Sequence, residues 1–507
     1  MQALKELFVV LVIALVVFRF ARPVACVFAT EEEFARRRNA WCALTIVAFL
    51  CPTLWLFCLL AVPILVLAAR KESNPGALYL MLLTVVPAIS WRVPMVGLSY
   101  LVDLDFPLLL AFCVMVPAAL RLLKSQQPPA ALKMLDYCLL AYLALTSMYF
   151  VLPEISRGVL MTPTVTDSLR RAFEAFFAIY VPYFVLSRSS SKLRGVQDMM
   201  AAFCLSCAVM AAIGTFEGAR HWLLYGAMRS HWDPYNPYLM RAGSVRAMAS
   251  TAHPLVLGYF LAVALGLWLC LKSKVQSRLS RNSVIVLYAL GLLAAYSRGP
   301  WVGAILIYFV YVALSRRTIS KLLTAVGAVA LLGLIVAITP FGEKIAKVIP
   351  YFGGTVDAEN ITYRQRLLER AWQIIQGSPF LGDQYAFSKM EDLRQGQGII
   401  DLMNGFVNIL LDNGFVGLLL FLAFAMTGVV KAWKLSGASA QVGVQLGTMG
   451  ASLVACILGT LVMMWAGGVL TAPTCILVGL ATASAELGRR RQLAAQSSDQ
   501  GSDTRTL

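Results

Sequence analysis

The feature that most limits what this chain can fold into is a series of apolar runs, each close to a membrane thickness long, repeated from one end to the other. A run of about 20 such residues crosses a bilayer as a helix, since a helix satisfies its own backbone polar groups where no water can. The runs lie near 7–28, 41–69, 76–95, 106–122, 133–151, 172–187, 199–218, 253–272, 283–297, 300–315, 321–339, 405–430, 440–465 and 470–486. They predict an all-α polytopic integral membrane protein with about 12 to 14 transmembrane helices. Composition agrees: 59% of the 507 residues are apolar and only 14% charged. The mean hydropathy is +0.74, and no stretch remains for a soluble domain.

The net charge of +17 is dispersed as short basic clusters between the runs, which argues against nucleic acid as a partner and for membrane topology as the cause. Cations sit in alternate loops: Arg70-Lys71, Lys124, Arg188-Lys192-Arg194, Lys274-Arg278-Arg281, Arg316-Arg317, Lys431-Lys434 and Arg489-Arg490-Arg491. The positive-inside rule places these in the cytoplasm, and both termini with them. Arg36-Arg37-Arg38 falls on the opposite side in this count; either the first two runs do not both span, or Glu31-Glu32-Glu33 offsets it. The expected organisation is N-terminal helices over 1–218, helices with a first outer loop (219–252) over 219–339, a large outer loop over 340–404, C-terminal helices over 405–486, and a disordered cytoplasmic tail over 487–507. The N-terminal run reads as a first span; it has neither the basic start nor the small-residue cleavage site of a signal.

Several classes of chemistry are excluded. The eleven cysteines lie within or beside apolar runs, so they indicate no outer disulfide framework, and the CxxC pair Cys204 and Cys207 falls mid-span on one helix face, where packing is the expected role. There is no HExxH, P-loop or dinucleotide fingerprint, which argues against a protease, an NTPase and a dehydrogenase. Asp103 and Asp105 imitate a DxD metal motif, but without neighbouring ligands they read as a polar turn.

The unusual residues gather in or beside the two outer loops. From Asn360 to Gln376, Leu367, Leu368, Ala371, Trp372, Ile374 and Ile375 recur at helical spacing, with Gly377 and Pro379 as stop signals. Arg366 and Arg370 share a face, while Arg364 projects from another. Such arginines either snorkel to lipid headgroups or pair with a pyrophosphate, for which the guanidinium fork is well shaped. Arg298, in Ser297-Arg298-Gly299-Pro300-Trp301, interrupts a long apolar region on the positive-poor side; such a cation either faces a cavity or an anion, or reaches the interface from a tight outer turn between two spans. The first loop adds Arg241, Arg246 and His253, the last being either a proton acceptor or a helix-start residue. Its aromatics Trp222, Tyr225, Trp232, Tyr235 and Tyr238 form an interfacial belt or stack on sugar rings.

Three elements together resemble the O-antigen ligase and polysaccharide polymerase superfamily: the Ser297–Trp301 turn, the spacing of Tyr363-Arg364 to Pro379-x-x-Gly382, and Asn404 followed by Asn413-Gly414-Phe415-Val416-Gly417-Leu418. The resemblance implies a multi-pass bacterial inner-membrane glycan transferase that needs neither metal nor cofactor. Its donor is a glycan on undecaprenyl pyrophosphate, transferred to a hydroxyl of another glycan. Ligases of the family carry a histidine before the asparagine matching Asn404, and here that position is Met403. Asp401 is the nearby substitute as base; its rival role is a helix N-cap. The variant resembles the exopolysaccharide repeat-unit polymerase branch, with Arg298 and Arg364 on the pyrophosphate, Arg246, His253, Arg366 and Arg370 as further substrate contacts, and Asn404 as an orienting group. Expected partners are the lipid-linked oligosaccharide, membrane lipids and a chain-length regulator or export complex. The alternatives are a ligase acting on lipid A core or protein, and a flippase or exporter; the latter would show internal repeats, and none is apparent.

Overall fold

The structure is a computed structural model that describes residues 2–95, 97, 100–125, 133–148, 154–156, 159–161, 165–189, 192–228, 240–241, 244–251, 253–315, 358–383, 385–394, 400, 402, 404–438 and 443–503. The expected span at 321–339, the aromatics Trp232, Tyr235 and Tyr238, and Asp401 and Met403 lie outside the described residues.

The described residues form a helical bundle. Six helices are long and apolar enough to cross a membrane: α1 (Gln2–Ala25), α5 (Phe106–Lys124), α8 (Leu193–Arg220), α9 (Pro254–Lys274), α13 (Gly405–Gly437) and α14 (Val444–Trp465). Shorter apolar helices are α3 (Leu54–Arg70), α6 (Met134–Met148) and α11 (Arg298–Ala313). Further helices are α2 (Glu31–Leu50), α4 (Pro75–Leu82), α7 (Val165–Ala175, continuing through a π turn into Val181–Arg188), α10 (Arg278–Ala294), α12 (Ala358–Gly377) and α15 (Thr471–Asp503). Strands are confined to small antiparallel hairpins, such as Trp91–Arg92 with Asp103–Leu104. One large apolar core joins α1 to α11 with α13, α14 and α15. Small residues let the central helices approach closely, as where Gly303 of α11 faces Met463 of α14 and Gly266 of α9 faces Ile307 of α11.

The run at 41–69 is two helices and not one span. Pro52 has no N–H to continue α2 and holds Cys51 in extended backbone, while Thr53 caps the start of α3 by accepting from Leu56 N. α2 and α3 pack as an antiparallel hairpin, so Arg36 and Arg37 at the start of α2 meet Glu72 just past the end of α3. The Arg36–Arg38 cluster therefore joins Arg70, Lys71 and Arg194 at one end of the bundle, which may be called the cationic end. Arg37 forms ion pairs of 2.7 Å with both Glu72 and Asp198 there.

The start of α1 and Glu486 of α15 lie at opposite ends of the bundle. Glu6 accepts from Ala227 N at 2.9 Å, which ties the start of α1 to the segment after α8. Residues 28 and 29 take the Arg194 guanidinium at the cationic end. Glu486 of α15 lies at the cationic end, facing Lys133, beside Asp136, which pairs with Arg188. α15 itself runs on to Asp503 where a disordered tail was expected, aided by ion pairs of Glu486 with Arg489 and Arg490 at helical spacing.

Asp105 caps α5 by accepting from Leu108 N at 2.8 Å, in keeping with a polar turn. Cys204 and Cys207 are buried on one face of α8 and point at carbonyls of α9. Tyr225 is buried against Phe49, which rules it out as a sugar platform.

Candidate functional site

Opposite the cationic end, three helices begin side by side around a single turn. α9 starts at Pro254, α11 at Arg298 and α13 at Gly405, and the turn Ala466-Gly467-Gly468 after α14 lies against all of them. A Cβ on Gly299 would stand 3.1 Å from Ala466 Cβ, and one on Gly405 would stand 2.9 Å from Gly468 O. A Cβ on Gly467 would meet Tyr259 and Leu255 of α9, and Pro300 packs on Gly258. The glycines are thus needed for close backbone approach. α11 starts without a side-chain cap, and all three helices direct the positive ends of their dipoles to this place, so their clustering favours an anion.

Arginines are brought to the same place from three distant parts of the chain. α10 ends at Ala294, and Tyr296 adopts a left-handed φ of 45° to let Ser297 and Arg298 open α11 at once. That conformation is strained for a residue with a side chain, and such strain concentrates at functional sites. The segment before α9 runs alongside: Ala247 N donates to Ala294 O at 3.0 Å. Arg246 Nη2 donates to Ser297 Oγ at 2.7 Å and its Nε to Ala295 O at 3.4 Å. Arg298 follows directly, and its Nε is buried with no hydrogen-bond partner among the described residues. The positive charge of Arg364, on α12, acts on Arg298. Like charges gathered at a half-buried place are costly unless a counter-anion offsets them.

One residue that shapes this cluster escaped the sequence reading. Glu217, in the last turn of α8, is fully buried. Its Oε2 accepts from Met248 N at 2.9 Å and Ala249 N at 2.8 Å, and its Oε1 from Leu224 N at 2.9 Å. Ala249 takes a left-handed φ of 46° in doing so. The carboxylate therefore folds the short segment that carries Arg246. A lone acidic residue at the close of an apolar run was the available signal; its partners Met248 and Ala249, 31 and 32 residues away, leave no local pattern.

The second loop forms a small module. Leu367, Ala371, Ile374 and Ile375 of α12 pack on Ala386, Met390, Leu402 and Leu411 in a core separate from the bundle. α13 bends at Gly414, which has φ 59° and ψ −163°, so its first turns belong to this module and only the part beyond runs on into the bundle. The bend receives the turn at Pro379: Phe415 N donates to Pro379 O at 2.8 Å, Val416 N to Phe380 O at 3.1 Å, and Asp383 N to Leu411 O at 2.7 Å. Gly382, at φ 79°, lies so close that a Cβ would stand 2.5 Å from Leu411 O. The Pro-x-x-Gly and Asn-Gly-Phe elements are two halves of one docking contact, which is why both need glycine.

The arginines of α12 divide. Arg364 lies close enough for its charge to act on Arg298, whereas Arg370 donates to Lys389 O at 3.2 Å and lies 4.0 Å from Asp392. Arg366 is exposed on the flank of Arg370, so neither Arg366 nor Arg370 joins the cluster. Asn404 caps α13, its Oδ1 accepting from Phe406 N at 3.0 Å and Val407 N at 3.3 Å, so the N-cap, the rival role weighed for Asp401, belongs to Asn404. His253 caps α9 through Nδ1, which accepts from Leu255 N at 3.1 Å. Among the described residues no group of three or more His, Cys, Asp or Glu side chains is arranged to hold a metal ion.

Residues 283–422 match the family model described as O-antigen ligase. The matched segment contains Arg298, Arg364, Asn404 and the Gly414 bend, and stops short of the C-terminal helices; Arg246 and His253 precede it. No curated protein matches the chain.

Proposed function

We propose that this chain, whose residues 283–422 match the O-antigen ligase family model, polymerises glycan repeat units carried on undecaprenyl pyrophosphate. The observation that carries this reading is the convergence of Arg246, Arg298 and Arg364 on three adjoining helix starts. A pyrophosphate at a membrane boundary is the anion such a place suits: guanidinium forks match its oxygens, and the helix starts add fixed positive potential. The polyprenyl tail then stays among the spans.

In the reaction, an acceptor sugar hydroxyl forms a bond to the donor's anomeric carbon as the bond from that carbon to the pyrophosphate oxygen breaks. The leaving group departs with the electron pair, and the three arginines offset the charge that develops on it. Asp401, two residues before Met403, takes the hydroxyl proton. Asn404 keeps the base and acceptor in register by fixing the start of α13. Because pyrophosphate already leaves well, positioning and electrostatics supply most of the acceleration. Met403 in place of a ligase's histidine favours the polymerase over transfer to lipid A core or protein.

The cationic end faces the cytoplasm of a bacterial inner membrane by the positive-inside rule. The site then opens outward, together with residues 2–6, and the C-terminal helix ends inside. Reporter fusions at the two termini should therefore give opposite signals. Cell-surface glycan analysis of a deletion strain tests the activity: single repeats retained with chain length lost supports a polymerase, whereas full-length chains stranded on carrier lipid means a ligase.

A further inference from the structure

α12 has an exposed apolar flank that its own module does not use. Leu368 and Trp372, one turn apart, are about half exposed, and Phe380 and Leu381 in the following turn are 71% and 51% exposed. The buried face, through Leu367, Ala371 and Ile374, lies to one side of this flank; Arg366 and Arg370 lie on the other. Two observations say where the flank points. Arg364, Leu368 and Trp372 recur every four residues and so form one stripe along the helix. Arg364 acts on Arg298, the first residue of an apolar helix of the bundle, so the stripe is turned toward the level at which the spans begin. Phe380, meanwhile, is hydrogen-bonded through its carbonyl to Val416 just past the Gly414 bend. Beyond it Leu419, 64% exposed, continues the apolar surface along a helix long and apolar enough to cross the membrane.

We infer that this flank is a lipid-docking surface: α12 lies along the outer leaflet with Leu368, Trp372, Phe380 and Leu381 immersed at the boundary between headgroups and acyl chains. The arrangement is that of an interfacial amphipathic helix, with aromatic residues at the level where one side is apolar and the other wet. A lipid surface fits better than a second protein copy because exposed apolar side chains continue through Phe415, Val416 and Leu419 onto α13, a helix long and apolar enough to cross the membrane. Its consequence is to hold Arg364 at the depth of lipid phosphates, so that a lipid-linked anion meets it by moving in the plane of the membrane. The docking goes beyond the activity proposed above and does not depend on it.

The test uses the full chain in vesicles of phosphatidylethanolamine and phosphatidylglycerol, with an environment-sensitive fluorescent amino acid in place of Trp372 and, separately, of Leu368 and Arg366. Quenching by doxyl-labelled lipid should exceed quenching by aqueous iodide severalfold at positions 372 and 368, with the order reversed at 366. Iodide quenching that dominates at both 368 and 372 would place the flank in water and overturn the proposal. Protection from both quenchers would show a protein cover, from this chain or a second copy, and would overturn it equally.

Discussion

The two ends of the bundle both collect arginines and treat them in opposite ways. At the cationic end the buried guanidinium of Arg37 is enclosed by Asp198 and Glu72 at 2.7 Å each, and Arg188 by Asp136 at 2.5 Å. At the other end Arg246 donates to neutral oxygens of Ser297 and Ala295, and Arg298 has Arg364 for a neighbour. Matched charges brace helices that are distant in sequence, and their net potential is small. Arg298, whose Nε is buried with no hydrogen-bond partner among the described residues, stays available to an anion from outside. The difference teaches that counting basic residues locates clusters of cations, while only the tertiary structure says which of them are answered by carboxylates.

The comparison can be broken most forcefully at Arg37. Arg37→Leu strands Asp198 and Glu72 as buried charges, a loss of about 3–5 kcal/mol when one member of such a cluster is removed. Thermal unfolding in detergent should show it as a large drop, with turnover per folded molecule unchanged. Arg298→Lys should do the reverse. It keeps the charge but loses the fork, so chain growth should fall by about a hundredfold at normal protein levels. Equal tolerance of lysine at Arg298 and Arg364 would mean that these side chains only reach for headgroups.

Glu217→Gln sharpens the contrast, because it is a buried acid serving the site and not a brace. An amide retains one acceptor and puts an NH2 group against a backbone N–H, at a cost of about 1–3 kcal/mol. Donor binding should weaken, with the apparent KM for lipid-linked donor rising more than kcat falls. Glu217→Asp should restore part of it. A loss of folded protein with an unchanged KM would reduce Glu217 to a brace like Asp198. The smallest effect belongs to Arg370→Lys. Its partners are Lys389 O and an exposed Asp392, so the change should stay within about 0.5 kcal/mol and leave chain length untouched.

Much of this was legible beforehand, for reasons that are local. Membrane class follows from run length and composition, and α12 could be placed to within two residues of each end because its apolar spacing and the Gly377–Pro379 stop are near-neighbour signals. Arg298 and Arg364 stood out because a cation amid apolar residues is costly wherever the chain goes. The break at Pro52 is written in the sequence too, but the hydrophobicity on both sides of it masks one proline, and the structure alone divides 41–69 into two helices.

What the amino-acid sequence determined by itself is the membrane class of this protein, the apolar character of its long helices, and the residues too expensive to be there without a purpose. What only the tertiary structure decided is pairing: that Arg37 is answered by Asp198, 161 residues away, that Arg246 meets Ser297, 51 residues away, that the turn at Pro379 docks on the Gly414 bend, and that the chain begins and ends at opposite ends of the bundle. Periodicity reports how a helix is buried within its own few turns. Which helix it is buried against is set by packing among elements of similar apolar surface, and no single segment carries that information.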